Sequence, residues 1–243
     1  MARIFITGSA DGLGHLSAKA LIHQGHQVVL HARNAERGRE ALRKIPEAET
    51  VVTGDLSNID ETKNLARKVN ELGTFDSVIH NAGVYQAPAK NIFAVNILAP
   101  YILTCLVQKP KRLIYLSSGM HFHGRSKWDN FKLGSNITYS DSKLYVLMLS
   151  KAVANKWPGV YSNAVDPGWV PTKMGGRGAP DDLQKGYETQ VWLAVSNDEK
   201  AKVSGRYFFH QQEKHPNVEA DDVNLQTRFL SLCSEITGVS FPQ

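Results

Sequence analysis

Residues 3–25 read RIFITGSADGLGHLSAKALIHQG: a short apolar run, a glycine-rich turn and a helical pattern in immediate succession. The run Arg3–Ile6 has the length and residue types of a buried strand. In the turn, Gly8 permits a tight reversal, Gly12 lets backbone approach a phosphate, and Gly14 lets the helix pack closely on the strand. N–H groups at the start of that helix have no intrahelical acceptor and face an anion favourably. Gly8, Ser9, Asp11, Gly12, Leu13 and Gly14 are therefore candidates to hold a pyrophosphate. A glycine-rich turn met alone is a weak signal. Between the first strand and first helix of an alternating chain it is specific.

The rest of the chain alternates in this way. Strand-like runs at 3–6, 27–31, 50–53, 76–80, 112–117, 160–165 and 205–209 are separated by helical patterns at 13–25, 35–45, 58–72, 91–107, 138–156 and 181–196. Strict β–α alternation predicts a parallel sheet covered on both faces. The expected fold is α/β: a Rossmann-type doubly wound sheet of about seven strands, in one domain spanning 1–243. Ser57 followed by Asp60 resembles a capping box for the helix at 58–72, and Gly73 closes it. The Gly-, Pro- and polar-rich segments 119–136 and 171–180 come directly after strands. Ligands of open α/β sheets bind among such loops.

Composition sets outer limits. The 243 residues are 42% hydrophobic and 21% charged, with a net charge of +5, an ordinary globular balance. Basic residues are scattered, not massed into a stripe, which argues against a nucleic-acid partner. Cys105 and Cys233 show no motif spacing and read as free buried thiols, and no metal-ligand set is apparent. His121 and His123 read as solvent-facing imidazoles. A strand begins at residue 3, where a signal peptide would stand, and the apolar stretch 91–108 is interrupted by Asn96, Pro100 and Thr104. The reading is a cytoplasmic protein without a membrane anchor, with 91–107 a buried or subunit-facing helix.

The second strand ends His31-Ala32-Arg33-Asn34. Sites for NAD usually offer a carboxylate there for the ribose 2′-hydroxyl. A guanidinium instead matches a 2′-phosphate. NADP(H) is the expected cofactor, with NAD(H) the alternative and a surface arginine the plainer reading of Arg33.

These residues together resemble the classical short-chain dehydrogenase/reductase family over nearly the whole chain. Its phosphate loop corresponds to Gly8, Gly12 and Gly14, and its adenine-contacting pair to Asp55-Leu56. Asn81-Ala82-Gly83 matches the motif after the fourth strand, and Asn96 the helix asparagine. Ser117-Ser118 ends the fifth strand, Tyr139 and Lys143 form the YxxxK element, and Pro167-Gly168-Trp169-Val170-Pro171-Thr172 resembles the PG…T segment. The run Leu30–Asn34 is similar to retinol-dehydrogenase-like, NADP-using members. The resemblance implies interconversion of a carbonyl and an alcohol on a small-molecule substrate. Tyr139 would carry the proton, Ser118 orient the substrate oxygen, Lys143 hold the nicotinamide ribose and Asn96 keep a relay water. Pro167, Gly168, Val170 and Thr172 would border the nicotinamide. It also implies a homodimer or homotetramer, because the helices at 91–107 and 138–156 carry more apolar surface than one sheet face needs.

Tyr139 and Lys143, four apart, share a helix face. The lysine's charge and an oxidised nicotinamide are together expected to favour phenolate. Taken alone, the pair is also what a half-buried aromatic beside a snorkelling lysine looks like. Trp128, Phe131, Trp169, Met174 and Tyr187 are candidates for the substrate wall or for loop packing. Twelve residues separate Gly83 from Asn96 and twenty separate Ser118 from Tyr139, predicting a mouth open on one side and overhung on the other. Alternative functions are an NADP(H)-sensing binding protein and a sugar-nucleotide epimerase, the latter short of a C-terminal substrate domain.

Overall fold

The computed structural model describes residues 1–129, 131–134 and 136–242. It holds β1 Arg3–Ile6, α1 Gly12–His23, β2 Gln27–Ala32, α2 Ala35–Lys44, β3 Thr50–Thr53, α3 Ile59–Glu71 and β4 Ser77–His80. A continuous helix comes next as α4 Ala89–Phe93, a π-helical turn Ala94–Leu98, and α5 Ala99–Leu106. Then come β5 Arg112–Leu116, α6 Tyr139–Lys156, β6 Tyr161–Asp166, α7 Leu183–Val195, β7 Tyr207–Phe209, β8 Gln212–Lys214 and α8 Val223–Thr237. The strands form one sheet ordered β3-β2-β1-β4-β5-β6-β7-β8, parallel except for the final antiparallel pair. The expected α/β doubly wound fold is present, with β8 as an added edge strand.

Sheet alternation divides the core. Ile4 and Ile6 of β1 enter one cluster with Val28, Leu30, Leu21 and Val191, while Phe5 enters the other with Val29, Leu65 and Tyr101. The chain turns outward from β1 to β2 and β3, then crosses to β4 on the other side of β1. This reversal opens a crevice at the carboxyl ends of β1 and β4. Gly8 turns there with φ +64°, and Gly14 packs so tightly that a Cβ would stand 2.7 Å from the Gly8 carbonyl.

Local chemistry departs from expectation at several points. Asn58, not Ser57, caps α3, its Oδ1 accepting from the N–H groups of Asp60 and Glu61, while Ser57 donates to Asp55. Gly73 does close that helix, with φ +98°. Helix α6 starts on a capping box in which Thr138 and Asp141 serve each other. Helix α8 lies beyond the last expected element, capped by Asp222 and ended by left-handed Gly238.

That helix alters the oligomer argument. Phe229 of α8 stacks on Tyr145 of α6 at 5.4 Å, and Phe131 stands edge-on to Tyr145 at 5.0 Å. The Tyr145 hydroxyl donates to the Lys127 carbonyl, and Tyr101 of α5 donates to the Val239 carbonyl. The apolar faces expected to meet a second subunit are therefore packed against the chain's own C-terminal segment, Lys127, Trp128 and Phe131. That basis for a homodimer or homotetramer is lost. Between β5 and α6, Phe131 is buried in the core and Trp128 packs against it. Asn130 and Ser135 of that loop lie outside the described residues. The helix Ala89–Leu106 is long and apolar enough to cross a membrane, yet it is largely buried within the domain.

Candidate active site

A cleft of about 530 Å³ runs along the carboxyl edge of the sheet from Arg33 to Tyr139. Of the sequence candidates, it gathers Gly8, Asp11, Gly12, Leu13, Arg33, Asp55, Leu56, Asn81, Ala82, Gly83, Tyr139, Lys143, Pro167 and Thr172. Others stand behind its wall. Ser9 is buried, donating to the Ile6 carbonyl and accepting from the His31 N–H. Asn34 caps α2 by accepting from the Arg37 N–H. Val170 is buried against Gly186, and Gly168 turns with φ +78° while donating to Asp166.

Residues that patterns did not single out shape the nucleotide end. Buried His31 accepts from the Gly8 N–H at 2.9 Å through Nδ1, and its Nε2 bonds the Gly54 carbonyl at 3.0 Å. One neutral tautomer thereby ties the glycine turn to the loop after β3. Burial pushes its pKa down to about 4, keeping that tautomer neutral at physiological pH. Arg37 lines the cleft beside Arg33, its guanidinium 3.5 Å from Asp11. Among the described residues, Arg33 has no carboxylate within ion-pair distance. Lys173, from the loop after β6, pairs with Asp11 across the cleft.

At the other end, Lys143 is buried, donates to the Leu116 carbonyl at 2.8 Å, and lies 5.3 Å from the Tyr139 ring centre. Burial brings its pKa down to about 8, while Asp166 works against the fall. The Tyr139 phenol is pushed up to about 12, chiefly by burial, with the Ser118 hydroxyl opposing and Asp166 and Tyr85 adding. The lowering expected from the lysine and an oxidised nicotinamide together concerns the site with its cofactor bound. In the protein alone, desolvation dominates and the phenol stays protonated.

The neighbours fix these groups. Ser117 donates to the Lys143 carbonyl, locking α6 to β5. Ser118 Oγ accepts from the Met120 N–H, and the Ser118 carbonyl accepts from His121 Nδ1 at 2.7 Å. His121 is buried, its Nε2 accepting from the Asn217 N–H, contrary to the solvent-facing reading. Asn96, in the π-helical turn, accepts from the Val84 N–H and donates to the Val84 carbonyl and Ser142 Oγ. Both ends of its side-chain amide thus serve protein groups. Gly83 leaves a slot beside them, where a Cβ would sit 3.5 Å from both Asn96 Oδ1 and Lys143 Nζ.

A half-buried tyrosine and a buried lysine one helical turn apart, Ser117 just past the adjoining strand and a glycine-rich turn thus share one cleft, with Ser118 next in the chain. The family model for short chain dehydrogenases matches residues 2–182. The chain belongs to the short-chain dehydrogenase family. It is 44% identical to an uncharacterized oxidoreductase of Emericella nidulans, an alignment covering all of this chain and 99% of that protein. Retinol dehydrogenase 13 of Mus musculus is 27% identical, with 98% of this chain and 84% of that one covered. Among solved structures, a blue fluorescent protein from a metagenomic library, in complex with NADPH, has a TM-score of 0.72 and 18% identity. It covers 85% of this chain and 95% of that one. This short-chain dehydrogenase is accordingly an oxidoreductase. The expected kinship to retinol-dehydrogenase-like members stands at the lower identity.

The wall candidates divide in this family member. Trp128 and Phe131 belong to the core, and Tyr187 packs with the second cluster. Trp169 and Met174 remain exposed, Met174 within the cleft.

Proposed function

We propose that this protein reduces a ketone or aldehyde, and reversibly oxidises the alcohol, with NADP(H) as cofactor and Tyr139 as general acid and base. The observation that carries this reading is the half-buried Tyr139 phenol beside Lys143, at the end of the cleft that begins at the glycine turn.

The cleft fits a dinucleotide in shape and in charge. Gly8, Asp11, Gly12 and Leu13 would hold the pyrophosphate at the start of α1, with Ser9 and Gly14 fixing the turn from behind. Asp55 and Leu56 border the adenine end, and Asn81, Ala82 and Gly83 the middle. Pro167, Gly168, Val170 and Thr172 support the nicotinamide end, and the slot at Gly83 admits a ribose edge next to Lys143. Arg33, assisted by Arg37, would take the 2′-phosphate, with Asn34 holding the helix start between them. Absence of an acid at the end of β2 supports NADP(H) over NAD(H). A protein of the same fold was solved with NADPH.

When bound, NADPH supplies the hydride. Tyr139, protonated at neutral pH, donates its phenolic proton to the oxygen of the carbonyl. Ser118 positions that oxygen, its loop anchored through His121 and Asn217. As the proton leaves, the ammonium of Lys143 stabilises the developing phenolate. Asn96 acts by positioning Val84 and Ser142, not as a relay through its side chain.

The test is consumption of NADPH and of NADH against a panel of ketones and aldehydes. Carbonyl-dependent oxidation with NADPH preferred is expected. Tight NADPH binding without turnover on any carbonyl would favour the sensing protein instead, and preference for NADH would overturn the reading of Arg33.

A further inference from the structure

We infer that the substrate is a ketone carried on a flat, fused aromatic ring system, bound against an apolar rim around Tyr139. This rests on the carbonyl-reductase reading and names the substrate class for the same site.

The rim is visible in where apolar side chains stay exposed. Among the described residues nine large hydrophobic side chains are exposed, and five of them, Tyr85, Met120, Phe122, Trp169 and Met174, sit on the loops after β4, β5 and β6. Single exposed apolar residues are ordinary. A concentration at one edge of a sheet marks a binding surface. Each of the three loops is tied to the candidate chemistry. The Tyr85 ring meets the Tyr139 ring edge-on at 4.8 Å. Met120 and Phe122 lie on the short 3₁₀ turn that begins after Ser118, and the Met120 N–H donates to Ser118 Oγ. Trp169 and Met174 flank Thr172, Met174 lining the cleft, and the end of β6 that leads into their loop abuts the Ser118 loop, a Cβ at Gly119 falling 3.0 Å from Asp166 Oδ2.

The chemistry of the rim favours flat rings. Trp169 is 60% exposed and Phe122 52%, the Phe122 ring resting on one side against His121 at 4.1 Å, and the indole N–H of Trp169 is already donated to the Gly175 carbonyl at 2.8 Å. What remains for a ligand is π surface and two thioethers, which suit offset stacking and sulfur–aromatic contact. Only five residues, 84–88, lie between Gly83 and α4, so the rim is an open edge, not a tunnel. A flexible alkyl chain would have to freeze many rotors on such an edge. A rigid ring system has few to freeze.

The test compares aryl methyl ketones of one, two and three fused rings with linear methyl ketones of equal carbon number. Steady-state kinetics with saturating NADPH should show kcat/KM rising about tenfold from one ring to three, and staying flat along the alkyl series. Phe122→Ala and Trp169→Ala should raise KM for the three-ring ketone about five- to tenfold, with kcat little changed. Alkyl ketones matching the aromatic ones, or an unchanged KM in both variants, would overturn the inference. Quenching of tryptophan fluorescence by the three-ring ketone reads the rim apart from turnover. Quenching that is lost in Trp169→Phe supports it, even if failure of every ketone to turn over sinks the reductase reading. Absence of quenching, or quenching that persists in Trp169→Phe, overturns it.

Discussion

Replacing Lys143 by methionine should make the protein more stable and leave it without activity. The lysine is buried, and burial lowers its pKa from 10.5 to about 8. At about 1.36 kcal/mol for each tenfold change in proton affinity, the charged form costs the fold roughly 3 kcal/mol at neutral pH. Methionine loses the hydrogen bond to the Leu116 carbonyl, worth roughly 1 kcal/mol, so the net gain is about 2 kcal/mol. In a chain of this size that raises Tm by roughly 4–8 °C. The pH dependence identifies the cause. Below about 8 both folded and unfolded lysine carry the proton, and the cost is present in full. Between about 8 and 10.5 only the unfolded chain keeps it, so wild type gains stability as pH rises and the variant's advantage shrinks. Thermal melts near pH 7 and near about pH 9.5, with NADPH-dependent turnover measured alongside, read both effects. A variant no more stable than wild type near neutrality, or a gap that does not narrow with pH, would refute the reasoning.

Three other outcomes rest on particular contacts. Arg33→Ser should weaken NADPH binding about ten- to a hundredfold while leaving NADH affinity nearly unchanged, because a charge-assisted phosphate contact is worth roughly 1.5–3 kcal/mol; fluorescence titration measures both. His31→Leu leaves the Gly8 N–H and Gly54 carbonyl without their partner, a loss of roughly 2–3 kcal/mol read by denaturant unfolding. Since the folded His31 protonates only near about 4 against 6.5 unfolded, wild type loses stability as pH falls through that window, and the variant should fall less steeply. Phe229→Asp, setting an acid against Tyr145 and Phe131, should uncover the α6 face and yield association detectable by light scattering.

The fold was legible because β–α alternation is a strong periodic signal and the glycine turn stands at its head. Helix α8 escaped that logic. No strand comes after it, although Asp222, Leu225, Phe229, Cys233 and Gly238 carry their own cap and stripe. The site was legible where chemistry lies in side-chain type, as with Tyr139 and Lys143, or in backbone freedom, as at Gly8. It was illegible where it depends on environment. The proton affinity of Tyr139 arises from burial outweighing the Ser118 hydrogen bond, and the role of His31 depends on two backbone partners 23 residues away in either direction. His121 is hidden for the same reason: its acceptance from Asn217 joins segments 96 residues apart. No local pattern records such pairings.

The central claim is that Tyr139 moves the proton in NADPH-dependent carbonyl reduction. It is tested most directly by kcat for wild type and Tyr139→Phe on one turned-over ketone, with the NADPH Kd of both proteins measured in the same buffer. A kcat lower by at least about a hundredfold, the usual scale of a lost general acid, with Kd within about twofold, is the predicted result. A phenylalanine variant that turns over within about tenfold of wild type would contradict it.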